Sequence, residues 1–336
     1  LRLLKYISKR MLFVLPQLFG IITVSFFLLK LIPGDPALMM LGPMASEETL
    51  EVLRADLALD KSLVEQFIIY IKNILNGDLG NSWQTTRPVT EDLLKRFPAT
   101  LELVTLSLFL ALFIGIPVGV IASLFKRSIV NKFSTYYGLL AGSLPDFWLA
   151  LIFIYFFYTL LGWSAAPMGR LDLGVLPPTF ITGSYFLDSL FSGDMETFFN
   201  IFDHLVLPVL TLGLVNAGPI IKMTQSTMDR MLESDHIRYA RSCGLNEFQI
   251  TRRALRNSLP SVLTIVSVLY SFLIGGAVLV EIVFSWGGAG QYALSGVLNA
   301  DINPVMGFVI WSAVLCLILY LIVDLIYFAI DPRLRD

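Results

Sequence analysis

The sequence predicts an all-α membrane protein with six transmembrane helices, and three observations carry that reading. Apolar residues fill 56% of the 336 positions and charged residues only 15%, against roughly a quarter charged in soluble domains; mean hydropathy is +0.73. Six segments run for roughly 20 mostly apolar residues, the length that carries a helix across hydrocarbon with its amides satisfied internally. Lysine and arginine collect in alternate links between those segments, as they do on the cytoplasmic side of a membrane.

The predicted spans cover 11–32, 99–125, 133–161, 204–224, 261–284 and 306–330 of one transmembrane domain, 1–336. The first is too long for a signal peptide and lacks a small-residue cleavage site after it, so it reads as a retained anchor. The fourth is the weakest, because Pro208, Asn216, Gly218, Pro219 and Lys222 interrupt it. A break survives in a membrane only where protein or water satisfies the freed groups, so this span is expected to be broken and to face partners.

Arg2, Lys5, Lys9 and Arg10 precede span one, and Lys126, Arg127 and Lys132 link spans two and three. Arg230, Arg238, Arg241, Arg252, Arg253 and Arg256 crowd the link between spans four and five. The other links, about 33–98, 162–203 and 285–305, are acidic or nearly uncharged. Both termini are then cytoplasmic, and 33–98 is a sizeable outer, periplasmic insertion. Within it Ser46-Glu47-Glu48-Thr49 opens an amphipathic stretch, Leu63, Phe67, Tyr70, Ile71 and Ile74 follow at helical spacing, and Gly77–Ser82 reads as a turn. Lid and docking surface are both open for this insertion.

The cytoplasmic stretch 226–260 carries dense helix punctuation. A first helix, Thr227–Cys243, ends at Gly244, the residue type suited to a left-handed C′ position. A second starts with Asn246 as N-cap, Gln249 completing a capping box and Leu245 stapling onto Ile250; Pro260 is expected to stop it. Spacing alone leaves two readings, a solvated loop with positive-inside arginines or a stiff hairpin that docks a partner.

Several stretches then resemble, in order, the membrane subunits of ATP-binding-cassette importers, the first permease of the dipeptide, oligopeptide, nickel and glutathione group. These are Pro33-Gly34-Asp35-Pro36, Gly77-Asp78-Leu79-Gly80, Arg96–Glu102, Pro145-Asp146-Phe147-Trp148, His204–Pro208, Gly275–Glu281 and Asp331–Arg335. Tyr239–Leu245 with Ala254–Pro260 is similar to the family's coupling segment, although Arg238-Tyr239-Ala240 replaces the general Glu-Ala-Ala opening. The resemblance implies a non-catalytic permease in a bacterial or archaeal cytoplasmic (inner) membrane. It implies a homologous second permease, two ATPase subunits that hold the ATP and Mg, and an extracytoplasmic substrate-binding protein. Di- or oligopeptide is the substrate class implied, with nickel or glutathione the alternatives within the group. Tyr239, Ala240, Gly244, Leu245 and Phe248 are the expected ATPase-coupling residues, the small ones admitting close approach and the apolar ones anchoring.

Asp146 and Glu281 are expected to line the path or its gate, because charge inside a span is costly. Lys30, Glu102 and Asp324 are expected to snorkel from span ends, Asp146 to cap a helix after a break, and Gly275 and Gly276 to permit close helix packing. Phe153, Tyr155, Phe156, Phe157 and Tyr158 read as lipid-facing. Cys243 and Cys316 read as buried small residues, with no metal or redox spacing. The near-neutral net charge, −2, gives no sign of nucleic acid. No G-x-x-x-x-G-K-[ST], G-x-S-x-G or H-E-x-x-H occurs, so the chain is not expected to bind ATP or hydrolyse a substrate itself. A secondary transporter, the rival class, is expected to show repeats and broken helices in both halves.

Overall fold

A computed structural model describes residues 2–30 and 35–330, with side chains at 12–28, 30 and 35–326. The Pro33-Gly34 motif, the basic side chains at the N-terminus and the 331–336 tail lie outside the described residues. Among the described residues fourteen α-helices follow one another: α1 Arg2–Lys30, α2 Pro36–Leu41, α3 Glu47–Asp56, α4 Leu63–Leu75, α5 Val89–Leu124, α6 Ile129–Ala141, α7 Asp146–Phe153, α8 Tyr185–Ser192, α9 Met195–Leu232, α10 Asp235–Ser242, α11 Glu247–Gly276, α12 Val278–Val283, α13 Ala289–Leu298 and α14 Ile302–Ile330. The chain after α7 continues as a π-helix over Ile154–Leu160. Among the described residues the only strand-like pairing is an isolated bridge between Asn81 and Pro88.

Among the described residues four helices are long and apolar enough to cross a membrane: α5, α9, α11 and the Ile302–Ile326 part of α14. Helix α6 and the α7 segment meet at 106° and make a fifth if counted as one. The apolar part of α1, Leu12–Leu28, is about 25 Å long.

Helix α9 corrects the expectation of a broken fourth span, for it runs unbroken through Pro208 and Pro219. Pro208 and Pro219 take the amide donors from the His204 and Val215 carbonyls, and side-chain donors add bonds to other carbonyls nearby: Thr211 Oγ1 donates to the Leu207 carbonyl at 2.8 Å and Asn216 Nδ2 to the Leu212 carbonyl at 2.8 Å. Tyr137 of α6 donates to the Leu214 carbonyl at 2.6 Å. None of these three bonds reaches a carbonyl that proline frees, yet the helix stays whole, packed on α6, α7, α8 and α11. The break falls in the segment predicted as span three instead, at Gly142–Pro145, where the residue before proline is pushed out of the helical region. Pro260 likewise fails to stop its helix; α11 carries the second hairpin helix and the predicted fifth span as one rod.

The chain divides into two compact units, Leu1–Ala99 with Gly287–Leu321 and Thr100–Trp286 with Ile322–Asp336. In the first, buried Leu79, Val89, Leu93 and Phe97 form the apolar base, and Phe97 meets Phe308 and Trp311. A buried polar network surrounds it. Ser82 Oγ donates to Asp301 Oδ2 at 2.6 Å, Tyr292 Oη to Asp92 Oδ2 at 3.0 Å, and Asn303 Nδ2 to the Asn81 carbonyl at 2.8 Å. The predicted outer helices are present as α3, capped by Ser46, and α4, with a Ser62–Glu65 capping box.

The second unit is organised by α9, which packs against α6, α7, α8 and α11. Close approach to α5 is made by glycines at i and i+4: a Cβ on Gly115 would meet Ile220 Cγ2 at 2.5 Å, and one on Gly119 would meet Thr224 Cβ at 2.7 Å and the Ile221 carbonyl at 2.9 Å. Small residues let membrane helices approach closely enough for dispersion contacts. Gly275 does not serve this purpose, having nothing within 4 Å, and Gly276 meets only Phe272 of its own helix. Overpacking of this kind costs typically ~1–3 kcal/mol, so Gly119→Val should lower the thermal midpoint of the chain in detergent while Gly275→Ala leaves it near that of the parent. Equal midpoints would remove the α5–α9 glycine seam as a stability determinant.

Candidate functional site

The hairpin between α9 and α11 is the most tightly specified polar segment of the chain. Helix α9 ends at Leu232 and α10 starts anew after Ser234, so the predicted Thr227–Cys243 helix is in fact broken at Glu233–Ser234. Helix α10 closes in a Schellman motif: the Leu245 amide donates to the Ala240 carbonyl at 3.3 Å and the Gly244 amide to the Arg241 carbonyl at 3.0 Å. Gly244 has φ +83°, a left-handed conformation that costs an L-residue roughly 1–2 kcal/mol. Three residues later, at Glu247, α11 begins. Asn246 Oδ1 accepts the Gln249 amide at 2.9 Å and Gln249 Oε1 accepts the Asn246 amide at 3.3 Å.

Leu245 therefore ends one helix and staples the next. It packs with Val120, Met231, Leu232 and Leu255 on a fully buried cluster of Met228, Ile237, Ile250 and Ala254. Arg241 clasps Glu247 across the turn with Nε–Oε1 at 3.0 Å and Nη2–Oε2 at 3.1 Å. At the other end Lys126 Nζ reaches Glu233 Oε1 at 2.7 Å. These ion pairs are exposed and add little energy singly; the apolar cluster and paired caps make the hairpin stiff.

The five expected coupling residues divide by exposure. Tyr239 and Phe248 are 72% and 78% exposed, unusual for aromatic side chains at the end of a packed hairpin. Gly244 is exposed with no neighbour within 4 Å of a would-be Cβ. Leu245 is partly buried by the staple, and Ala240 is 5% exposed, so its small side chain serves internal packing and offers no surface. Cys243, expected to be buried, is exposed as the C-cap of α10. His236 is exposed, 3.3 Å from Asn257 Nδ2.

The two expected path residues also differ. Helix α7 packs on α12, but Asp146 is partly exposed and is the first helical residue after the N-cap Pro145, so it is not itself the cap. Glu281 is fully buried and accepts Thr100 Oγ1 at 2.6 Å. Tyr155, Phe156 and Tyr158 are exposed, whereas Phe153 and Phe157 pair edge to face.

Sequence reasoning missed a third set of residues. Glu102 does not snorkel: it is 6% exposed and its Oε1 accepts Ser184 Oγ at 2.9 Å and the Phe186 amide at 2.7 Å, with Arg170 Nη1 3.6 Å from Oε2. The Arg170 guanidinium lies 3.5 Å over the Tyr185 ring. Buried Asp188 gathers the amides of Ile181, Thr182 and Gly183, and His204 Nε2 lies 3.2 Å from Asp172 Oδ1. These groups order residues 170–188, a stretch with too few apolar residues in period to be read as a packed element.

Most of the chain matches two neighbouring family descriptions. Residues 3–104 match "Binding-prot-dependent transport system membrane comp, N-term" and residues 115–336 match "Binding-protein-dependent transport system inner membrane component". The chain belongs to this permease family. It is 40% identical to the probable D,D-dipeptide transport system permease protein DdpB of Escherichia coli K12, over 94% of this chain and 93% of that one. It is 34% identical to the dipeptide transport system permease protein DppB of Alkalihalophilus pseudofirmus, over 99% and 100%. A solved methionine ABC transporter, MetNI, in inward-facing conformations shares the fold, with a TM-score of 0.51 and 20% identity over 71% of this chain and 96% of that one. The permease is thus a multi-pass inner-membrane subunit of an ATP-binding-cassette importer. Its role is transport, and membership implies a partner permease and ATPase subunits.

Two measurements test this geometry. Burial works against the charge of Asp188, but the hydrogen bonds from Thr182 and the three amides hold its carboxyl below the ordinary 3.8. A depressed folded pKa contributes stability above the unfolded value that is lost as pH falls through the folded one. Amide protection at 181–183, corrected for intrinsic exchange, should therefore drop below about pH 4, and Asp188→Asn should lack both the protection and its pH dependence. In the hairpin, Gly244→Ala should raise exchange at the Leu245 amide by about 5- to 30-fold, from ~1–2 kcal/mol of left-handed strain. Unchanged exchange would mean that the turn does not depend on its backbone conformation.

Proposed function

We propose that the permease forms half of the translocation path of a di- or oligopeptide importer and is driven through the α10–α11 hairpin by ATPase subunits docked on it. The observation that carries this reading is the hairpin itself, two exposed aromatics on a doubly capped, apolar-cored turn continuous with a membrane-length helix. Exposed aromatic side chains on a rigid base are the usual anchors of a protein interface, since little conformational entropy is lost on docking. Because α11 is one rod from Glu247 to Gly276, displacement of the hairpin is transmitted along the span with no flexible joint.

In this reading α1 and the bent α6–α7 pair are spans one and three, giving six, with both termini and the hairpin cytoplasmic. The arginine-rich stretch 226–260 supports that side by the positive-inside rule. The acidic 33–98 segment is periplasmic and touches an extracytoplasmic substrate-binding protein. Asp146 borders the path at the helix break, where irregular backbone needs water or partner groups. Glu281, enclosed and hydrogen-bonded, holds α12 beside it. The names of the relatives, given for dipeptides and D,D-dipeptides, favour peptide over nickel or glutathione. ATP and Mg belong to the ATPase partners, and a homologous second permease supplies the other half of the path.

The test uses the reconstituted importer. Tyr239→Ala and Phe248→Ala should each weaken ATPase docking by about 10- to 30-fold, ~1.4–2 kcal/mol, with membrane insertion intact. Gly244→Arg should abolish substrate-stimulated ATP hydrolysis. Parent-like coupling in all three variants would remove the hairpin from the mechanism.

A further inference from the structure

Helix α4 is placed against α1 by its aromatic side chains. The Phe67 ring centroid lies 6.1 Å from that of Phe19, 5.3 Å from Phe26 and 5.6 Å from Phe27, and Tyr70 stacks on Phe26 at 5.4 Å. Helical rise sets these partners on α1 at roughly 16, 6 and 5 Å from Lys30, the outer end of the apolar run. Phe67 therefore sits about 10 Å along α1 from that end, beside the mostly apolar stretch Leu12–Leu28.

Only half of α4's apolar sector is used by these rings. At 100° per residue Val64, Ile68 and Leu75 form a second stripe on the adjoining flank, and they are 62%, 49% and 80% exposed. Glu65 and Lys72 lie on the opposite side of that stripe from Phe67 and Tyr70, both exposed. The helix has its own capping box, so it does not need a protein partner on this flank to persist.

We infer that α4 lies in the outer leaflet of the membrane, with Val64, Ile68 and Leu75 against lipid acyl chains. The inference rests on the reading of α1 as the first span. Three observations choose lipid over a protein. The depth of about 10 Å matches that of interfacial amphipathic helices. The stripe is purely aliphatic, without the aromatic and arginine anchors that concentrate binding energy in protein interfaces. The neighbouring α1 is itself aliphatic and exposed on the side away from α4, Val24 at 58% and Leu28 at 59%, a surface that a spanning helix turns to hydrocarbon. The insertion between the first two spans is then in part a membrane element, anchoring α1 laterally and leaving α2 and α3 for the aqueous side.

The importer, reconstituted in vesicles with Cys243 and Cys316 replaced by serine, tests this by spin-labelling Ile68→Cys, Leu75→Cys, Glu65→Cys and, as a reference on α1, Val24→Cys. Labels at 68 and 75 should relax with oxygen and resist a water-soluble nickel chelate, at a depth of about 5–10 Å; the label at 65 should show the reverse order. Nickel access at 68 and 75 with a lipid-exposed label at 24 overturns the placement of α4 and leaves the span intact. Protection from both reagents at 68 and 75 overturns it in favour of a covering protein, either a subunit or a second copy of this chain. Nickel access at 24 overturns the spanning reading of α1 and the inference with it.

Discussion

Unpaired backbone groups are intolerable in hydrocarbon, and the chain's regular and irregular stretches follow from how that demand is met. Each internal proline leaves one carbonyl, four residues back, without its amide donor. In α9 that cost is borne inside a packed helix, where Thr211 and Asn216 tie their own polar groups to carbonyls one turn earlier and Tyr137 reaches across from α6. The helix stays whole and becomes the axis of its unit. At Gly142–Pro145 the chain bends by 106° instead, and Asp146 is left beside the break.

The hairpin is stiff for related reasons. Its turn spends no residue without a role: Gly244 takes the left-handed position, Leu245 closes one helix and staples the next, and Asn246 opens α11. In the proposed mechanism the stiff turn and the continuous α11 act as a lever, because a lever transmits displacement only where nothing along it yields. Ala240 and Leu245 contribute from beneath, and Tyr239 and Phe248 are what remains at the surface.

The 170–188 stretch follows a different logic. It has no long apolar face, and its order comes from carboxylates: Glu102 receives Ser184 and Phe186, Asp188 receives three amides, and Asp172 lies against His204. Charged groups are costly to bury without partners; both Asp188 oxygens accept amides, whereas Glu102 Oε2 has the Arg170 guanidinium 3.6 Å away in place of a hydrogen bond, so these residues are specific to one arrangement of the loop.

Much was set by local order in the sequence alone: an all-helical membrane chain, the Gly244 turn with its Asn246–Gln249 capping box, the Ser46 cap of α3 and the start of α4 near Leu63. These depend on neighbours within four residues, whose geometry the backbone dictates. Tertiary structure decided the rest, because the deciding atoms are distant in sequence. Whether Pro219 breaks a helix depends on what packs around it, and the neighbouring α6, whose Tyr137 donates to the Leu214 carbonyl, lies about 80 positions earlier. Whether a glycine packs depends on what faces it, so Gly119 meets Thr224 while Gly275 meets nothing. Whether Glu102 reaches water or is enclosed depends on Ser184 and Arg170, and no periodicity records a contact between residues that far apart.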